Sequence, residues 1–433
     1  MSINLLTPAQ IAQLSTTAIQ ALTATDIASL SASQVAAINS TDLAIIDATQ
    51  LAGMTATGVK ALTTAQIPNL NNAITFDLTQ LQVLGTTQVH ALNNTQVLAM
   101  ATTQIDALSA GQLGALTATN FNSLNITSIQ NLTPTQVGGI ATSQITGLTS
   151  AQLGHFTTTQ LGELTASQIG ALSATNFSAM GVTALGALSA TQLKGVTTSQ
   201  IAGLTSGALG ALSSTQVSEL ATAQINALTS TNVGLLNATT QINGLTSTQI
   251  AAMNTTVFGG LTSGQLSHFA NTQINALTAS QVKSLSTAAF GGLNDTQIDA
   301  LANTQLGQLS TTNLGSLDQT ALQGLSNGQL QGISVTGMGG LSNVQIGELI
   351  TQIGAFTSSQ IGGLTTTVIS NMTTTQIDTL NVTQIPGLTV SQIPYVSAAD
   401  ISSFTTTQAG ALTGAQVGAM NSTQFNAYTI KTS

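Results

Sequence analysis

The sequence predicts an all-α repeat solenoid built from very short helices of one to two turns, one for every eight residues. Three observations predict it. From Thr7 to Tyr428 the chain divides into 53 units, 50 of them eight residues long, with the form Ser/Thr/Asn/Asp-x-x-Gln-apolar-x-x-Leu. In those 50 units position 1 is Ser, Thr, Asn or Asp in 43 and position 4 is Gln in 33, whereas positions 5 and 8 are apolar in every one. A fixed short period of this kind marks stacked repeats rather than separate globular cores.

Each position of the octad has a reason. A hydroxyl followed three residues later by Gln is the capping box, in which the hydroxyl accepts from the N3 amide and Gln reaches back to the N-cap amide. The apolar residue just before the cap is position 8 of the preceding unit, and it staples to position 5. Leu164, Thr165, Gln168 and Ile169 supply all four parts. Pro8 and Pro134 stand at position 2, the first helical site, where a missing N–H costs nothing. Glycine is common at positions 6 and 7, and Pro68, Pro386 and Pro394 occupy position 6, so the helix ends there, in 3₁₀ form in places.

Regular elements fail the same test. An uninterrupted helix would rotate its apolar stripe by about 80° per octad. A straight strand would send positions 5 and 8 to opposite faces. The alternative fold is a β-solenoid with short strands at positions 4–6, favoured by the β-branched residues.

One capped turn cannot offset the entropy of ordering it, so the turns must stack. With two octads per coil and helices about 8–10 Å apart, the array would be a thin rod some 200–260 Å long; three octads per coil would shorten it to around two-thirds. Residues 1–433 are read as a single continuous solenoid, with length slips at 71–76, 237–245 and 350–356. A longer echo is visible: TATNFNSL (117–124) returns as SATNFSAM (173–180), and TSAQLGHF (149–156) returns as TSGQLSHF (262–269).

Composition narrows the function. Only 4% of residues are charged, and the net charge of −9 leaves four lysines and no arginine to meet phosphates. Nucleic-acid binding is therefore not expected. Cysteine is absent, which removes disulfides and thiolate metal sites. The N-terminus lacks the basic start and apolar core of a cleaved signal, and no window reaches the length of a membrane span.

The chemical inventory is thin. His90, His155 and His268 fall in distant octads without acids at ligand spacing. Asp26, Asp42 and Asp400 replace Gln at position 4, where a carboxylate suits a helix N-terminus. Glu163, Glu219 and Glu348 share position 7 many octads apart, and Asp295 and Asp299 fall at opposite ends of one octad. Capping accounts for the many hydroxyls. No catalytic, cofactor-binding or metal residue is assigned, and an enzyme is not expected.

Stretches such as TTTQLGEL (157–164) and TSSQIGGL (357–364) make residues 7–428 resemble the low-complexity octapeptide arrays of large secreted or cell-surface proteins of Gram-negative bacteria. That resemblance implies an extracellular or cell-surface protein, exported without a cleaved N-terminal signal by a one-step route, although the calcium-binding repeats common in such substrates are missing. Open solenoids need polar capping units to stay soluble. Here the terminal octads keep the full motif. The expected function is therefore structural: a filament or surface-layer subunit whose partner is another copy, stacked head to tail. The alternatives are an adhesin stalk or glycan-binding module and, further off, an ice-binding protein that uses its threonine rows.

Overall fold

The structure, a computed structural model, describes residues 3–71 and 75–433, and among them every regular element is helical. The packing divides the chain into two compact units, Met1–Ala211 and Leu212–Ser433. Both are built from the same octad, and the β-solenoid alternative is not adopted.

The octad of the first unit that begins at Thr165 illustrates the construction. Thr165 is extended (φ −68°, ψ 161°) and its hydroxyl accepts from the Gln168 amide at 3.3 Å. Gln168 Oε1 accepts in return from the Thr165 amide at 2.7 Å. The helix Ala166–Ala171 follows, and the Leu172 amide closes it on the Ile169 carbonyl at 3.2 Å. Leu172 (φ −63°, ψ 142°) and Ser173 (φ −61°, ψ 154°) are then both extended, so the chain turns a corner before the next cap. Where proline fills position 6 the helical amide is lost, and the turns Ile67–Asn69, Ile385–Gly387 and Ile393–Tyr395 are 3₁₀.

Successive corners bring the fourth helix back over the first. Ala166–Ala171 packs on Thr142–Thr146 below and Ala190–Leu193 above, and in the second unit Ala279–Ser284 packs on Thr255–Phe258 and Asn303–Leu306. A coil therefore holds three octads, the shorter of the two arrangements weighed from the sequence. Two extended residues at positions 8 and 1 swing the chain through a third of a circuit, not half of one.

Side chains at positions 5 and 8 point into the coil, and Phe121, Phe177, Phe258, Phe290 and Phe404 are among the largest that are wholly enclosed. Where coils touch, side-chain volume is limited. A methyl group on Gly139, at position 7, would sit 2.6 Å from the Ala110 carbonyl oxygen of the coil beneath. Gly181 is needed for another reason. Its φ of +88° is the one positive value among the described residues, and it replaces the usual capping residue.

The glutamine at position 4 does more than cap. Gln168 is 2% exposed, and its Nε2 donates to the carbonyls of Val137 and Ile140, both at 2.7 Å. Those carbonyls, 31 and 28 residues earlier, close Pro134–Gly139, the helix that leads into Thr142–Thr146 in the coil below. The same pair of bonds runs from Gln200 to Ile169 and Leu172, and in the second unit from Gln281 to Ile250 and Met253. One amide thus serves a helix start with its oxygen and a helix end with its nitrogen, adding to the position 5 carbonyl, which also takes the position 8 amide, and capping the position 8 carbonyl.

Substitutes at position 4 do only part of this. Asparagine is one methylene shorter: Asn120, Asn176 and Asn313 reach only Leu92, Leu148 and Leu285, at 2.7, 2.8 and 3.1 Å. Asn313 Oδ1 is left buried without a partner. Aspartates keep the capping acceptor, as in the Thr23 amide to Asp26 bond at 2.9 Å, but carry no donor for the coil below.

The length slips are absorbed locally. Of the six-residue unit 71–76, residues 72–74 lie outside the described residues. In the nine-residue unit the extra residue makes a π-turn, Ala238–Ile242, in which the Ile242 amide reaches the Asn237 carbonyl at 3.0 Å. Gln241 still bonds to the Leu212 carbonyl at 2.8 Å, so the coil contact survives the insertion. The seven-residue unit tightens into the 3₁₀ turn Ile353–Ala355, with Gln352 on the Leu325 carbonyl at 2.8 Å.

Candidate functional site

Short helices leave little room for a catalytic cluster, because positions 4, 5 and 8 of each octad are mostly buried and solvent meets chiefly positions 1, 2, 3, 6 and 7. The three histidines stand apart. His90 Nδ1 bonds to the Ala115 carbonyl oxygen at 3.0 Å, His268 is exposed, and His155 is half-buried. Among the described residues no three His, Cys, Asp or Glu side chains converge as a metal site would require.

The acids serve local structure. Hydrogen bonds from the Thr23 hydroxyl and amide hold the Asp26 carboxyl below its ordinary pKa. Asp400 accepts from the Ser397 amide at 2.8 Å and from the Thr374 hydroxyl of the coil below at 2.9 Å. Glu348 meets Gln323 Nε2 at 3.4 Å. Asp295 and Asp299 share the helix Asp295–Asp299; burial, and then the charge of Asp295, raise the pKa of Asp299.

Grooves form instead at the corners. In the first unit a hollow of about 650 Å³ lies between stacked corners, walled by Thr86, Thr87, Thr117, Ser143 and His90 over a floor that includes Gly114 and Ala115. In the second unit two grooves of about 470 and 440 Å³ flank the π-turn and share Asn243 and Gly244 as their common wall. One is lined by Thr246, Ser247, Thr272 and His268, the other by Ser214, Thr215, Ser218, Thr239 and Thr240. None of these residues carries a fixed charge.

Sequence reasoning marked the 237–245 slip and His268 separately and did not bring them together. The signal available was the ninth residue itself, since a π-turn in an otherwise strict array often marks a functional position. Their proximity comes from the three-octad coil, which places the octad of His268 directly over the irregular one.

Residues 35–72 match the ALTTAQ repeat family, and the chain spells ALTTAQ itself at 61–66. The chain is a repeat protein with a helical solenoid architecture. Within the matched stretch Gln66 donates to the Val35 and Ile38 carbonyls at 3.0 and 2.7 Å, so it holds one complete inter-coil bridge. No curated protein matches the chain. Among solved structures it is similar to a homology model of the full-length AP-3 complex in an intermediate open conformation, at 10% identity and a TM-score of 0.17 over 98% of this chain and 71% of that one. It is similar also to the leucine-rich repeat-containing protein LegL7 from Legionella pneumophila, at 11% identity and a TM-score of 0.14 over 60% of this chain and 79% of that one. A third likeness is to APUM23-GGAAUUGACGG, at 11% identity and a TM-score of 0.15 over 99% and 87%. At these scores the likenesses carry no argument about function. No helix among the described residues is long and apolar enough to cross a membrane.

Proposed function

We propose that the protein is structural, a subunit of an extracellular filament or surface layer in which copies stack end to end. The observation that carries this reading is the coil face, whose aliphatic positions and glutamine donors are closed by a neighbouring coil inside each unit and part-open at the outermost described coils. In the first unit Leu14 and Leu22, both at position 8, are only half-buried, whereas Ile38 and Ile46 of the next coil are enclosed. In the second unit Val417 and Met420 are half-buried and Phe425 is 45% exposed, against 1% for Ile401 one coil earlier.

Polar groups at these ends support the same reading. Interior glutamines donate to the coil beneath, but Gln10 is exposed and bonds only within its own capping box. Another copy would cover the aliphatic positions and offer helix-end carbonyls to that donor, repeating between molecules the contact made between coils. A heterologous contact of this kind does not close on itself and grows into a fibre.

Electron microscopy with light scattering on the concentrated protein tests the proposal. Fibres of uniform width are expected, lost in Leu14→Asp and Phe425→Asp. Dispersed monomers of the unaltered chain at high concentration would overturn it.

A further inference from the structure

We infer that the paired grooves beside the π-turn of the second unit are a binding track for a short, uncharged oligosaccharide. Corner hollows also form where the array is regular, as beside His90; what sets this one apart is that two grooves share residues of the irregular octad. One residue beyond eight, in Asn237–Leu245, converts a capped turn into the π-turn Ala238–Ile242, leaving the core and the Gln241 bridge in place. The insertion is spent on the outer surface. There Asn243 stands exposed between two grooves of about 470 and 440 Å³.

The chemistry of the walls selects the ligand. Asn243 Nδ2 is held by the Thr239 carbonyl at 2.9 Å, which orients the amide and leaves Oδ1 to accept from a ligand. Thr215, Thr240 and Thr272 are exposed hydroxyls that both donate and accept, and His268 adds an exposed imidazole on the far side. With no fixed charge along the walls, an anionic or cationic ligand would give up its hydration without a counter-charge. A sugar ring asks for what is present, namely alternating donors and acceptors for its hydroxyls and small apolar surface at Gly244 and Ala270. The shared wall is closely packed: a methyl group on Gly244 would meet the Ser214 carbonyl oxygen at 2.5 Å. This binding does not require end-to-end assembly and stands whether or not copies polymerise.

The irregular octad provides its own test. Deleting Thr240 restores a regular unit, Asn-Ala-Thr-Gln-Ile-Asn-Gly-Leu, so that variant keeps a foldable sequence while losing the π-turn. Saturation-transfer NMR on the full chain would use cellohexaose, maltohexaose and chitohexaose as neutral probes and dextran sulfate as the anionic comparator. At least one neutral probe is expected to bind in the millimolar range, weakened about tenfold or more by the deletion and severalfold by His268→Ala, the loss of one or two hydrogen bonds. Hydrogen exchange across residues 205–285 checks that both variants keep their coils. The inference is overturned if no neutral probe binds, if the anion binds more tightly, or if folded variants bind as the parent does.

Discussion

Replacing Gln168 by Glu leaves shape and volume almost unchanged and reverses one half of the amide. The new carboxylate would still accept from the Thr165 amide, but its second oxygen would face the Val137 and Ile140 carbonyls, each now 2.7 Å from Nε2. The Ile140 carbonyl would lose its donor, the Val137 carbonyl would keep only the Ile140 amide, and both would face a buried carboxylate, so about 4 kcal/mol is expected at neutral pH. Gln168→Asn should cost less, about 2 kcal/mol, because Asn120 and Asn176 keep the bond to the position 8 carbonyl. The cost of Gln168→Glu depends on pH in a fixed direction. Burial raises the carboxyl's pKa in the folded chain above its unfolded value of about 4.3, so stability holds below that value and falls as pH rises toward the folded one. Repeat arrays open piecewise, so the assay is hydrogen exchange by mass spectrometry over residues 133–148 and 165–180. A cost of about 4 kcal/mol corresponds to roughly a thousandfold loss of protection. Protection within about threefold of the parent at neutral pH would refute the bridge as the fastening between coils.

Other expectations follow from the same contacts. Gly139→Ala drives a methyl group against Ala110 and should destabilise by about 1–3 kcal/mol in urea titration, whereas Gly138→Ala meets nothing within 4 Å and should be neutral or stabilising. Thr165→Val removes the cap but not the Gln168 return bond, as Ala101 with Gln104 already does, and should cost about 1 kcal/mol. Asp26 should titrate below the ordinary carboxylate value by NMR, and Thr23→Val should move it back up. Its stabilising charge is present above that ordinary value and is lost as pH falls through the lowered one. Asp299 should titrate above it, and Asp295→Asn should lower it only in part because burial is the larger cause; here stability falls as pH rises past the usual carboxylate value.

Local order was legible in the sequence because the octad states it locally. Thr165 and Gln168 cap as their spacing requires, and Pro68, Pro386 and Pro394 all fall in 3₁₀ turns. The number of octads per coil was not legible, because it is set by the extended backbone at residues such as Leu172 and Ser173, which no residue type there specifies. The second role of glutamine was hidden for a related reason: its Nε2 partners lie 28 and 31 residues away, beyond any capping pattern. The candidate track was missed because Asn243 and His268 meet only once that coil number is known.

Because every bridge reaches backward along the chain, the molecule has a direction of growth. A segment emerging N-terminus first finds a finished shelf beneath it, and Gln200 can lock onto Ile169 and Leu172 as soon as it appears. Emerging in the opposite order, each glutamine would wait in water for acceptors still to come. In N-to-C order, therefore, each new tier can clamp the one already laid.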